Sequence, residues 1–217
     1  MNKSRIDRLS PLSGAAAVVI MVAGVLIFNY YEFLPPAEKL AGFFNNNAYG
    51  VYAGGYIASL SAFTLLWFAG SVRSVLAERE GGTGHLSTIA FGGGAAASVV
   101  LGVSFVGILT SGLRAGAAGG ITPIGAVSLY DFYSQLTGQL LPIFMAVFIA
   151  ATAAVSRRTK LFPAWFDGTS LIVVVGLLTP FAYMMLALAI AWLLVVSLWL
   201  YLRGASMGAP ATAAEAV

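Results

Sequence analysis

The hydrogen-bonding and ionisable side chains that fall within apolar runs of this chain are few, and their spacing is helical. Asp131, Gln135 and Gln139 recur every four residues, Asn29 and Glu32 are three apart, and Tyr49, Tyr52 and Tyr56 follow intervals of three and four. Residues so spaced share one helix face. Amides, phenols and two carboxylates gathered into stripes suit reversible hydrogen bonding of a small molecule or lipid headgroup, with Asp131 and Glu32 able to carry a coupled proton. Each set also has a plainer use. Tyrosines form interfacial belts, carboxylates cap helix starts, and glutamines bond to neighbouring helices.

Other chemistry lacks its residues. There is no cysteine, and the one histidine, His85, follows Gly81-Gly82-Thr83-Gly84 in a loop. Thiolate or bis-histidine sites are therefore excluded, and no metal or other cofactor is expected. The glycines lack the Gly-Lys-Ser/Thr ending of a phosphate loop. No serine–histidine pair or ligand cluster points to hydrolysis. Lys3, Lys39 and Lys160 all fall outside the apolar runs, so none is placed for a buried Schiff base. An enzyme is not expected.

The elements that must position the stripes follow from composition. Of 217 residues, 59% are hydrophobic and 9% charged, against roughly a quarter charged in a soluble domain. A soluble globule is excluded, and a net charge of +3 leaves no footprint for nucleic acid. A membrane-crossing helix needs about 20 apolar residues. Such runs occupy 14–33, 48–76, 86–113 and 126–155; the first is expected to remain as a span rather than be cleaved as a leader. The last apolar stretch, 162–202, admits two spans, 165–181 and 183–202, if the chain reverses near Thr179-Pro180. One long kinked helix is the alternative. The expectation is an all-α, six-span transmembrane bundle, five spans being the second choice, with a disordered cytoplasmic tail over 204–217.

Six spans place Lys3, Arg5, Arg8, Arg73, Arg79, Arg157, Arg158, Lys160 and Arg203 on one side, and Lys39 and Arg114 on the other. By the positive-inside rule both termini are then cytoplasmic, in a plasma membrane. The three polar stripes open toward the outer side, which suggests an outward-facing, tyrosine-lined cavity. In the third span Ala90, Gly94, Ser98 and Gly102 repeat every four residues, and such small side chains let helices approach closely. This span is expected to be the central packing helix or a seam for self-association. The segment 35–47, with apolar Ala37, Leu40, Phe43 and Phe44 before Asn45-Asn46-Asn47, reads as a short amphipathic helix that connects spans or lids the bundle.

Several short motifs carry a family resemblance. They are Ala37-Glu38-Lys39-Leu40-Ala41-Gly42-Phe43-Phe44, Leu66-Trp67-Phe68-Ala69-Gly70-Ser71-Val72-Arg73, Gly81-Gly82, Tyr130-Asp131 and Phe162-Pro163-Ala164-Trp165. The chain resembles, over roughly 8–203, a family of uncharacterised bacterial six-span membrane proteins. The resemblance implies six helices and assigns no activity or site residue. Two functions stand open: a membrane protein that binds or transports a small molecule or lipid, and a non-catalytic accessory or scaffold subunit. Partners are then the lipid bilayer and either a second copy or a larger membrane complex.

Overall fold

A computed structural model describes residues 9–30, 32 and 34–206. The basic stretch Lys3, Arg5, Arg8 and the tail from 207 lie outside them. The described residues form an all-α bundle. After a 3-10 turn (Ser10–Leu12), the helices are α1 (Ser13–Phe28), α2 (Ala37–Asn46), α3 (Ala48–Glu80), α4 (His85–Ala115) and α5 (Pro123–Gln135). A π turn (Leu136–Leu140) leads into α6 (Leu141–Thr159), and α7 (Ala164–Leu177) and α8 (Ala182–Ser206) complete the order. Five segments are long and apolar enough to cross a membrane: Ser10–Phe28, Ala48–Glu80, His85–Ala115, Pro123–Thr159 and Ala182–Arg203. With 14 residues, α7 is about 21 Å long, short of the ~30 Å hydrocarbon layer.

The last apolar stretch is a hairpin and not one kinked helix. Thr179 closes the turn, its hydroxyl donating to Gly176 O at 2.7 Å and accepting from Phe181 N–H at 3.3 Å. α8 then returns along α7. Arg203 Nη1–H donates to Leu161 O (2.8 Å), and the Ser197 hydroxyl donates to Pro11 O (2.7 Å) while accepting from Ala15 N–H (3.0 Å). The two ends of the described chain thus lie on the same side of the bundle. α8 runs helically through Ser206, so residues 204–206 are not part of the disordered tail expected there.

Two span boundaries differ from expectation for local reasons. The first span stops at Phe28, not 33, because Asn29 adopts a left-handed conformation (φ 50°, ψ 43°) and closes the helix through its N–H to Val25 O. Asparagine tolerates this C-cap geometry better than most residues. The fourth span is interrupted by the π turn, where Leu141 N–H reaches Leu136 O. Pro142 follows one residue later. A proline lacks the N–H that would serve the carbonyl four residues back, that of Gly138, and its ring crowds it; the wider turn accommodates both.

In an apolar solvent the helices are held by close packing rather than by hydrophobic drive, and here glycine sets the spacing. A Cβ on Gly24 would lie 2.4 Å from Ala58 N, on Gly55 2.6 Å from Leu109 N, and on Gly112 2.3 Å from Tyr52 N. α4 occupies the centre, against α3, α5 and α6. Its Ala90, Gly94 and Ser98 are buried inside the single chain, and Gly102 meets Ala62. The Ser98, Ser104 and Ser111 hydroxyls donate to carbonyls four residues earlier, so these polar groups are satisfied within α4.

At Gly94 a methyl would meet Ala69 Cβ at 2.6 Å, whereas at Gly92 it would meet nothing within 4 Å. Gly94→Ala is therefore expected to lower stability by about 1–3 kcal/mol. Gly92→Ala should be neutral or stabilising by up to about 1 kcal/mol through helix propensity. Thermal unfolding of the two variants in one detergent checks this, and equal midpoints would contradict the packing described.

Candidate functional site

The candidate site is a cavity of about 410 Å³ between α1 and α8. The two helices are joined near one end by Ser197 bonded to Pro11 and Ala15. Toward the other end their facing walls are Ala17, Val18, Met21, Val22, Val25 and Leu26 on α1, and Tyr183, Leu186, Ala187, Ala189, Ile190 and Leu193 on α8. The back wall is Leu65 of α3, Leu101 and Phe105 of α4, Tyr133 of α5, Thr137 of the π turn, and Leu141 and Met145 of α6. Alanines at 17, 187 and 189 leave the volume that longer side chains would fill. Val22, Leu26, Tyr183 and Ala187 are exposed on the bundle surface, so the cavity opens sideways between α1 and α8.

The wall is apolar apart from the Tyr133, Thr137 and Tyr183 hydroxyls. Thr137 Oγ1–H donates to Tyr133 O at 2.8 Å. Tyr133 also joins the cavity to an aromatic cluster at the end that carries α2. Its ring lies 5.4 Å from Phe105, 5.9 Å from Tyr130 and 6.4 Å from Phe28; Tyr30 continues the cluster 5.8 Å from Tyr130 and 4.7 Å from Phe43.

α2 lids this end. Its apolar side buries Leu40, Ala41 and Phe44, the face that the amphipathic spacing marks out. Asn45 then clamps the α4–α5 loop, accepting from Ile121 N–H (2.8 Å) and donating to Ile121 O (3.2 Å). Ahead of α2, Glu32 accepts from the Tyr30 hydroxyl (3.0 Å) and pairs with Lys39 (2.7 Å), and its backbone carbonyl accepts from the Tyr130 hydroxyl (2.9 Å). Its hydrogen bonds from Lys39 and Tyr30 hold the Glu32 carboxyl below its ordinary range. Burial first, and then the adjacent carboxylate, push the Tyr30 phenol up to about 12.

The residues expected to converge are not brought into this cavity. Asn29 is the exposed cap of α1, and Glu32 lies beyond that helix in the lid cluster. Tyr49, Tyr52 and Tyr56 are exposed on the periphery of α3, with the Tyr52 and Tyr56 rings stacked on each other at 6.4 Å. Asp131 lies one turn before Gln135 on the same helix, and Gln135 and Gln139 do share a face, since Gln139 Nε2–H donates to Gln135 Oε1. It is the opposite face from Tyr133, Thr137 and Leu141, which line the cavity. His85 starts α4 and is exposed; Glu80 caps that helix, accepting from Leu86 N–H and Ser87 N–H, both at 2.8 Å.

Asp167 lies outside every stripe that the sequence suggests. It is 3% exposed in the first turn of α7, and its Oδ1 has no hydrogen-bond partner among the described residues. The available signal was a carboxylate inside the apolar run 162–177. Among the described residues no group of three or more His, Cys, Asp or Glu could hold a metal ion.

Because the Glu32 carboxyl is lowered in the folded protein, its contribution to stability is complete above the unfolded value of 4.5. It disappears as pH falls through the folded value. The wild-type unfolding midpoint should therefore drop on acidification below about pH 4.5 by an increment that Glu32→Gln lacks. Parallel pH profiles for the two proteins would show that the Lys39 and Tyr30 contacts do not favour the ionised form.

No protein-family model matches the chain, and neither a curated protein nor a solved structure matches it.

Proposed function

We propose that this membrane-embedded protein binds a lipid chain or another apolar small molecule, admitted sideways from the bilayer between α1 and α8. The supporting observation is the cavity itself, about 410 Å³ and apolar but for three hydroxyl-bearing side chains. That volume falls in the range of about 300–1,000 Å³ common to small-molecule sites. A ligand already dissolved in lipid gains little by exchanging one apolar surrounding for another. Selectivity then rests on shape against α1 and α8 and on hydrogen bonds with the Tyr133 and Tyr183 hydroxyls, Thr137 serving only as an acceptor because its proton is donated to Tyr133 O. This assigns lipid or small-molecule binding to a lateral apolar cavity in place of an outward polar one.

The orientation in this proposal follows the basic residues. Arg157, Arg158, Lys160 and Arg203 lie at the end where Ser197 meets Pro11; in this reading, which takes the membrane to be a bacterial plasma membrane, the same rule argues that this end is cytoplasmic. The α2 lid then covers the outer end.

Ala187 lies at the cavity mouth, while Leu188 is exposed beside it and is not part of the wall. In nanodiscs, the motionally restricted fraction of a spin-labelled fatty acid should fall about tenfold for Ala187→Trp. It should stay near wild type for Leu188→Trp. Retention of the restricted fraction by Ala187→Trp would refute the proposed site.

A further inference from the structure

Along the outside of α5, the π turn and α6, an exposed stripe carries Phe132, Gln135, Gln139, Ile143 and Val147. Its depth can be read from the opposite face of the same segment. Thr137 and Leu141, on either side of Gln139 in sequence, line the cavity together with Val18, Met21 and Val22. Those three occupy the middle of the span Ser10–Phe28. Gln139 therefore lies near half-depth, with Gln135 about one turn nearer the α2 end. Apart from the bond between them, the two amides have no hydrogen-bond partner among the described residues. The Gln139 carbonyl oxygen and the Gln135 NH₂ are left open at a depth where acyl chains offer neither donor nor acceptor.

We infer that this stripe is the contact between two copies of the chain, related by a two-fold axis and bonded through Gln135 and Gln139. The open groups are one acceptor and one donor, so the set is its own complement. In an isologous contact the same patch serves both chains, and each copy's open donor meets the other's open acceptor. Phe132 on one side and Ile143 with Val147 on the other supply apolar packing around the amides. The contact is independent of the cavity, which opens on the other side.

The absence of cysteine makes single-cysteine cross-linking in proteoliposomes a clean test. Ile143→Cys should give an oxidised dimer, whereas Val19→Cys, exposed on α1, which packs against α3 and α8 across the cavity from the stripe, should not. Adding Gln135→Leu and Gln139→Leu to Ile143→Cys should weaken dimerisation by about tenfold or more. Fatty-acid binding should be unchanged. No cross-link at Ile143→Cys above that at Val19→Cys overturns the proposal, as does a cross-link that survives both leucines. Cross-linking of Ile143→Cys only to a different protein also overturns it. Should the double-leucine variant not fold, the comparison of the two single-cysteine proteins still decides.

Discussion

The architecture depends on backbone contact between helices in a medium where apolar side chains gain little by leaving their surroundings. Gly24 and Gly54 hold α1 against α3, and Gly55 and Gly112 hold α3 against α4; a Cβ at any of them would lie within 2.6 Å of a backbone atom of the facing helix. Such approach maximises dispersion contact along the seam. It also fixes the rotation of each helix, because the glycine must face its partner. Once α1, α3 and α4 are set in this way, the exposed residues of each are decided as well. Tyr49 and Tyr56 lie on the periphery of α3 because Gly54, Gly55 and Ala58 take the inner faces, and Tyr52 sits at the edge of the seam with its backbone against Gly112.

This explains what the sequence could and could not disclose. Runs of apolar length located every long helix, and the reversal expected near Thr179-Pro180 anticipated the α7–α8 hairpin. The four-residue repeat from Ala90 to Gly102 marked α4 as a packing helix, and its members sit at the centre of the bundle or against α3. Local backbone chemistry was harder to read. The left-handed Asn29 ended α1 well before Pro35-Pro36, and the consequence of Pro142 fell upstream of it, in the π turn.

Periodicity shows which residues share a face but not which way that face points. Asp131, Gln135 and Gln139 form the stripe that their spacing implies, yet the interior side of the same segment carries Tyr133, Thr137 and Leu141. Polarity suggested the reverse, by the analogy that a costly group in lipid should be turned inward. The cavity was illegible for a different reason. It is made by the smallness of Ala17, Ala187 and Ala189, and these are lined up only when the first and last helices of the bundle meet, about 170 residues apart in the chain. Asp167 was overlooked because it stands alone, without a helical partner to form a pattern.

The π turn joins these two faces into one mechanical unit. In a regular α-helix each residue advances by 100°, so removing the extra residue of the wide turn would rotate all of α5 by about that angle relative to α6. Tyr133 would then leave the cavity wall, Gln135 would lose its bond to Gln139, and Tyr130 would swing away from the Glu32 carbonyl. None of these three contacts can be altered by rotation without the others. Pro142 is what keeps the turn open, since it denies Gly138 the donor that a regular helix would provide. One proline thus fixes the wall of the cavity, the paired amides on the bundle surface and the docking of the lid, at the point where the longest apolar segment passes the middle of the membrane.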